Sequence, residues 1–267
     1  LDFNGKEGVF TFISTGGYAG SVTISSVIQN ANGFTFNASG AASNIYLSGA
    51  NTYSGPTTIN AHTLRLNGGD DRLPVGTTVF VARGATLNLN GRNQTIRGVE
   101  GVGTVTNSSG TRNLTVNATG AGDAFVFDGL MSGGINLIKS GPGSLALTGN
   151  NTYTGTTAIN DGTLIVSGLT TGTGTFTVGS AGTLAGNGTI TADVVNDGAV
   201  TPGTSVGTLT VDGNFTNNGQ LVIELTAEDN DQLIVTGDAT MGGTLWVDLV
   251  TPFRPLRGTT FEILSTG

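Results

Sequence analysis

Two stretches of this chain, one hundred residues apart, have nearly the same sequence. Residues 47–68 read LSGANTYSGPTTINAHTLRLNG and residues 147–168 read LTGNNTYTGTTAINDGTLIVSG, so that 12 of the 22 aligned positions are identical. A long motif that returns in this way is typical of stacked repeats, in which each unit meets nearly the same neighbours. We therefore expect a long repetitive surface rather than a globule built around one cleft.

The composition favours short strands joined by tight turns. Glycine contributes 45 of the 267 residues, threonine 44 and asparagine 24, while 37% of the residues are hydrophobic. Threonine and valine favour extended backbone because branching at Cβ restricts χ1. Glycine and asparagine tolerate the positive φ of tight turns. The sequence thus predicts an all-β chain with almost no helix.

Alternating apolar pairs recur along the chain, and each pair places two side chains on one face of a strand. Successive pairs are mostly eight to eleven residues apart, but from Leu209 onwards the spacing is twelve. Such spacing also suits a β-sandwich or barrel, yet neither explains why one long motif returns. We predict a parallel β-helix with roughly 20–28 residues per coil and ladders of inward Leu, Ile, Val and Phe. The pairs with twelve-residue spacing are Leu209/Val211, Leu221/Ile223, Leu233/Val235 and Leu245/Val247.

The charge of the chain argues against nucleic acid and membranes as partners. The formal net charge is −8, and residues 160–267 hold eleven acidic side chains against two basic ones, Arg254 and Arg257. The sequence has no basic patch to neutralise phosphates, and no apolar run approaches the roughly 20 residues that span a bilayer, so no membrane insertion is expected. Cysteine is absent, which excludes disulfides, thiolate metal sites and cysteine nucleophiles.

The second copy of the motif carries a family resemblance. Residues 141–155 read GPGSLALTGNNTYTG, and with residues 159–164 they resemble the passenger-associated transport repeat of bacterial autotransporters. The first copy departs from this pattern at His62, where the second copy has Gly162, and it lacks the Gly-Pro-Gly lead-in. Further along, residues 230–240 with residues 243–247 are similar to the C-terminal part of pertactin-like passengers.

This resemblance covers most of residues 45–267 and implies a right-handed parallel β-helix. It also implies one passenger domain over residues 1–267, with repeat-bearing coils over 1–204. Residues 205–267 would then be C-terminal coils that resemble the region where passengers begin to fold. A passenger of this family is displayed at the surface of a Gram-negative cell, anchored in the outer membrane or released, and its C-terminal membrane barrel is expected outside these residues.

One motif invites an enzymatic interpretation. Residues 203–207, Gly-Thr-Ser-Val-Gly, match the G-x-S-x-G pattern of a nucleophile elbow. That chemistry needs the serine at a strand-to-helix turn, with Asp and then His after it. No helix pattern follows Ser205, and the one histidine of the chain, His62, lies upstream. We interpret the motif as a turn and His62 as an exposed turn residue.

Acidic and aromatic residues offer three further candidates. Residues 228–231, Glu-Asp-Asn-Asp, are the best calcium candidate, because hard cations need several oxygen ligands, but a solvated loop is favoured. Asp70-Asp71 is interpreted in the same way. Tyr53 and Tyr153 recur at one motif position, and packing on the neighbouring coil is favoured over stacking on a sugar.

Together these observations predict a non-enzymatic β-helical surface passenger or stalk with a scaffold or adhesin role in attachment. We expect no catalytic residue, no cofactor, no metal and no nucleic-acid partner. The expected partners are a surface glycan, a protein or further copies of the chain. The alternatives are a carbohydrate-active β-helix enzyme similar to pectin lyases, whose clustered acids could come from different coils, and a self-associating extracellular fibre component.

Overall fold

A computed structural model describes residues 1–13, 20–40, 44–172, 174–250 and 253–267. Within these residues every regular element is a β-strand, and parallel pairing of the strands builds a β-solenoid of about 11 turns. The prediction of an all-β parallel β-helix is confirmed. At about 4.8 Å per stacked strand, the rod is roughly 50 Å long. The described residues contain no helix long and apolar enough to cross a membrane.

The coils contribute strands to three faces, called here faces A, B and C, with strands numbered in chain order. Face A consists of β1 (Gly8–Ile13), β3 (Asn32–Ser39), β5 (Ser54–Ile59), β7 (Thr78–Val81), β10 (Gly98–Gly101), β12 (Ala124–Phe127), β14 (Ser144–Leu147), the second halves of β16 (Thr157–Val166) and β18 (Phe176–Gly186), β21 (Ala199–Pro202), β24 (Gln220–Leu225) and β27 (Thr244–Leu249).

Faces B and C are built in the same manner. Face B consists of β2 (Ser21–Ile24), β4 (Asn44–Leu47), β6 (Thr63–Leu66), β8 (Thr86–Asn88), the first halves of β11 (Thr104–Asn117) and β13 (Leu130–Ser140), β15 (Thr152–Tyr153), β17 (Leu169–Thr170), β19 (Thr189–Ile190), β22 (Thr208–Val211), β25 (Gln232–Val235) and β28 (Leu264–Thr266). Face C consists of β9 (Gln94–Ile96), the second halves of β11 and β13, the first halves of β16 and β18, β20 (Val194–Asn196), β23 (Phe215–Asn217) and β26 (Ala239–Met241).

Inward side chains stack coil on coil along the interior of the rod. On face A one such ladder runs through Ile59, Val81, Gly101, Phe127 and Leu147. Its four apolar side chains are fully buried, and burial of a Leu, Val or Phe side chain stabilises the fold by about 1.5–3 kcal/mol. Gly101 has φ +102°, and an added Cβ would overlap the Val81 carbonyl oxygen. Only glycine fits there.

The two copies of the duplicated motif lie on different faces. In the first copy, Leu47 and Leu66 stack on each other in β4 and β6 of face B. In the second copy, Leu147 and Val166 stack in β14 and β16 of face A. Each copy therefore encodes one complete coil, and the face on which the coil starts is not fixed by the motif.

Coil length varies more than the sequence suggested. Stacked partners are 16 residues apart between Leu184 and Val200 and 31 apart between Leu233 and Leu264, outside the expected range at both ends. The twelve-residue spacing is half a coil, because Leu233 stacks on Leu209 in face B. The pairs behave as expected up to β25, but Leu245 is 49% exposed, since β27 is the last strand of face A and only β24 is paired with it among the described strands.

Candidate functional site

Asn51 and Asn151 make the same two hydrogen bonds in the two copies of the motif. The Asn51 Oδ1 accepts the Ile28 N–H at 2.8 Å, and the Asn151 Oδ1 accepts the Met131 N–H at 2.9 Å. Each Nδ2 donates to the carbonyl two residues earlier, at 2.9 and 3.0 Å. Both side chains are buried. The asparagine thus joins its own turn to the coil below, which is a structural task.

The motif tyrosines are also structural. Tyr53 and Tyr153 are 2% and 0% exposed, and their Oη atoms lie 2.5 and 2.7 Å from the Oγ1 of Thr57 and Thr157. Burial raises the pKa of both phenols, with the threonine hydrogen bond opposing it. A ring in the core cannot stack on an external sugar, so the packing interpretation is confirmed.

His62 occupies a turn with φ 59°, and Gly162 has φ 66° at the same motif position. Positive φ is unfavourable for residues that have a Cβ, so glycine suits this position and histidine is less favourable there. His62 is half-buried rather than exposed, which corrects the expectation of an exposed turn. It borders an open cleft of about 390 Å³ that Asn60 and Arg83 also line.

The G-x-S-x-G segment forms a tight loop without a helix. Gly203 exchanges two backbone hydrogen bonds with Gly186, at 2.7 and 2.8 Å, and strand β22 follows the loop. Gly203 has φ +83°, and an added Cβ would overlap the Ser205 carbonyl oxygen. His62 precedes β6 and Ser205 precedes β22, seven coils further along face B and roughly 30 Å away. The turn interpretation is confirmed, and these two residues form no catalytic pair.

Asp231 holds this loop in place. The carboxylate is 1% exposed; its Oδ1 accepts the Gly207 N–H and its Oδ2 accepts the Glu224 N–H, each at 2.8 Å. Burial raises the pKa of Asp231 to about 6, and the two backbone hydrogen bonds oppose that shift. The sequence grouped Asp231 with a solvated acidic loop, which is wrong for this residue. Its partner Gly207 lies 24 positions away, so no local pattern indicates the contact.

The remaining residues of the acidic segment 228–231 lie at the surface. Glu228 and Asp229 are exposed, and the Asn230 Nδ2 donates to the carbonyls of Asp231 and Glu262 at 2.8 and 2.9 Å. Among the described residues, no three His, Cys, Asp or Glu side chains are grouped to hold a metal ion. The segment is therefore a hydrogen-bonded loop whose acidic side chains do not converge.

A shallow cleft of about 310 Å³ lies beside the 203–207 loop on the outer side of face A. Ala185 faces outward here, yet it is 7% exposed. Hydroxyl, apolar and carboxylate groups alternate in the cleft, a mixture that suits a sugar ring or an extended peptide. The floor and wall include Thr163, Ile165, Thr183, Thr201, Val222 and Glu224. One sequence signal could have indicated this cleft, namely the outward threonines that recur about one coil apart.

Lys139 is a second buried ionisable residue that sequence analysis missed. Its side chain is fully buried, and Nζ donates to the carbonyl oxygens of Ser140, Gly141 and Asp161 at 3.0, 2.7 and 3.0 Å. Burial lowers the pKa of Lys139 to about 8, and the charge of Asp161 opposes that shift. The lysine continues the inward row after Leu137, which is the signal that could have found it. It ties the C–A corner of one coil to the next.

The comparisons with known proteins agree with the repeated coil. The passenger-associated-transport-repeat family matches residues 45–68 and 137–166, which contain the first copy of the motif and all but the last two residues of the second. Over 104 residues the chain is 39% identical to the adhesin BmaC autotransporter of Brucella suis biovar 1 (strain 1330); this alignment covers 38% of the chain and 3% of that protein.

Two further relatives align with portions of the chain of similar length. An extracellular serine protease of Serratia marcescens is 35% identical over 116 residues, covering 42% of the chain and 11% of that protein. The uncharacterized protein YuaQ of Escherichia coli (strain K12) is 33% identical over 118 residues, covering 39% of the chain and 8% of that protein. The chain therefore spans only a small part of the length of each of the three relatives.

Proposed function

We propose that this chain, an autotransporter passenger segment whose β-solenoid carries passenger-associated transport repeats, is a non-enzymatic stalk in surface attachment. The observation that carries the proposal is the unbroken hydrophobic interior, which runs from Ile24 to Val235 in one cluster. Such a rod holds its outer surface at a fixed distance from the cell. Export to the surface of a Gram-negative cell belongs to the same proposal, supported by the names of two relatives.

The absence of enzymatic activity is supported by where the chemical groups lie. Ser205 and His62 are separated by seven coils, and both oxygens of the Asp231 carboxylate are bound to backbone N–H groups. The relative named as an adhesin favours attachment. The relative named as a serine protease aligns with 116 residues of this chain at 35% identity, and we assign the aligned part to the solenoid rather than to proteolysis.

The test is attachment by cells that display the chain. Escherichia coli cells carrying the chain fused to a membrane anchor should adhere to coated surfaces more than cells carrying the anchor alone. The Ser205→Ala variant should adhere equally well, because the serine is given no chemical role. Adhesion no higher than that of the anchor control would contradict the proposal.

A carbohydrate-active enzyme is the second candidate, because Glu224 and Asp231 line the same cleft beside a row of hydroxyl groups. Two carboxylates flanking a sugar are what glycoside hydrolysis requires. The purified chain should release no reducing ends from pectin-type glycans if it is a stalk. Release that disappears in Glu224→Gln, while the variant unfolds at the same urea concentration as the parent, would establish the enzyme instead.

A further inference from the structure

The arginines of the chain are concentrated in three coils. Six of the eight lie within residues 65–112, together with the acidic residues Asp70, Asp71 and Glu100. That segment has a formal charge of +3 in a chain whose net charge is −8. The six are Arg65, Arg72, Arg83, Arg92, Arg97 and Arg112.

Three of these arginines form a column at the corner between faces B and C. Arg72, Arg92 and Arg112 follow β6, β8 and the face B half of β11, which stack on one another. Neighbouring coils are about 4.8 Å apart, so the column presents one guanidinium per coil. We call Arg72, Arg92 and Arg112 the arginine column. The sequence shows no basic run here, because these residues are 20 positions apart.

The fold anchors two members of the column, Arg112 and Arg72, through carbonyl groups, whereas the buried Nε of Arg92 has no hydrogen-bond partner among the described residues. The Arg112 Nε donates to the Gly91 carbonyl at 2.8 Å, and its Nη1 donates to the Thr111 carbonyl at 2.8 Å. The Arg72 Nη1 donates to the Ser48 carbonyl at 3.2 Å. A guanidinium has five N–H donors, so each anchored arginine keeps donors for an outside group. A carbonyl partner also leaves the positive charge of the arginine uncancelled.

Nearby carboxylates are bound to amides rather than to the column. The Asp70 carboxylate accepts the N–H and the Nδ2 of Asn93, both at 2.9 Å. These bonds lower the pKa of Asp70, and the charges of Arg92 and Arg112 lower it further, which places Asp70 close to the column. Within the described residues the one ion pair joins Arg97 and Asp123 at 2.6 Å, so no member of the column is paired with an acid there.

We propose that the arginine column binds a linear sulfated polysaccharide. Guanidinium groups donate paired N–H bonds to sulfate-type oxyanions, and a ladder with one cation per coil matches a polymer with anions at regular intervals. The corner segments 67–73, 88–93 and 107–113 contain no aromatic residue. Single-stranded nucleic acid is bound by stacking on aromatic side chains, so this surface favours the glycan. The inference names a partner for the attachment role proposed above. It rests on that role only in placing the binding of the glycan at the cell surface.

The experiment uses the purified chain, so that it is independent of display and adhesion. Binding to immobilised heparin is measured for the parent and for the triple variant Arg72→Gln, Arg92→Gln, Arg112→Gln. The control triple variant Lys6→Gln, Arg254→Gln, Arg257→Gln removes the same charge from exposed positions elsewhere. Circular dichroism and the urea midpoint establish that each variant is folded.

The parent should bind heparin at about 50 mM salt and release it at higher salt, as charge-driven binding does. The column variant should bind roughly tenfold more weakly or worse, while the control stays within about twofold of the parent. Equal losses in both triple variants would overturn the proposal, as would no binding by the parent. Equal binding to desulfated heparin or to DNA would also overturn it, because the site would not then select sulfated glycan.

Discussion

Tyr53 and Tyr153 occupy the same position of the duplicated motif and make the same hydrogen bond, yet they lie on different faces of the solenoid. Tyr53 lies just before β5 of face A, whereas Tyr153 lies in β15 of face B. Each phenolic hydroxyl is hydrogen-bonded to the hydroxyl of the threonine four residues later. The motif therefore satisfies its buried tyrosine hydroxyl within its own coil, and this helps to explain how one sequence fits two faces.

Removing the phenolic hydroxyl should destabilise the coil of the second motif copy more than that of the first. Tyr153→Phe leaves the buried Thr157 hydroxyl without its partner, which costs about 1–2 kcal/mol. Tyr53→Phe should cost less, because the Thr57 hydroxyl keeps the Thr77 hydroxyl as a partner at 2.9 Å. Urea unfolding of the purified chain measures both. The variant Tyr153→Phe combined with Thr157→Val should recover part of the loss, and a fully additive loss would contradict a direct interaction.

Replacing the motif asparagine Asn151 with alanine should lower the free energy of unfolding more than the same replacement at its neighbour Asn150. Asn151→Ala leaves the buried Met131 N–H without an acceptor, at a cost of about 1–3 kcal/mol. Asn150→Ala changes the same residue type at an exposed position and should alter the free energy of unfolding by less than about 0.5 kcal/mol. Equal urea midpoints for the two variants would show that the bond to the coil below contributes nothing.

Asp231 should make the stability depend on pH. Its pKa is about 6 in the fold, against an ordinary aspartate value of 3.8, so the folded state binds the proton more tightly between these values. The stabilisation from protonation is present at low pH and is lost as pH rises through 6. Asp231→Asn should remove this slope. It should also lower stability at pH 7, because an amide NH₂ would face one of the two backbone N–H donors.

The measurement is the urea midpoint of both proteins across pH 4 to 7, a range set by that pKa shift. The difference between parent and variant should change through this window. A constant difference would mean that Asp231 does not titrate there. Glu228→Gln, which alters an exposed acid in the same loop, is the matched control and should leave the slope of the parent unchanged.

Hydrogen exchange should be slower in the C-terminal coils than in the first coil. The inward side chains of β22 and β25, including Leu209 and Leu233, are fully buried, and each strand has a paired neighbour on both sides. In β1 the inward Phe10 and Phe12 are only partly buried. Amides within residues 208–235 should therefore exchange later than those within 8–13, since exchange reports local opening. Slower exchange in residues 8–13 than in residues 208–235 would contradict the view that the C-terminal coils are the more stable part of the solenoid.

Much of the fold could be predicted from the sequence, because each strand and each repeated coil leaves a pattern in the sequence even though the coils pair over long separations. Alternating pairs such as Leu221 and Ile223 identify the inward rows, and the returning motif identifies the coil. The site residues could not be found in this way. Asp231 is defined by Gly207, 24 residues away, and the members of the arginine column are 20 residues apart. Neither separation leaves a local pattern to read.

The central claim, that each motif copy closes one coil of a parallel solenoid, can be tested by engineered disulfides in this cysteine-free chain. Tyr46 pairs with Arg65 on face B, and Ala146 pairs with Ile165 on face A, at equivalent motif positions. Stacked strands about 4.8 Å apart bring Cα atoms within disulfide range. Tyr46→Cys with Arg65→Cys, and Ala146→Cys with Ile165→Cys, should each form an intramolecular disulfide on mild oxidation. Tyr46→Cys with Ile165→Cys should not; a disulfide in that mismatched pair, or none in the two matched pairs, would contradict the account.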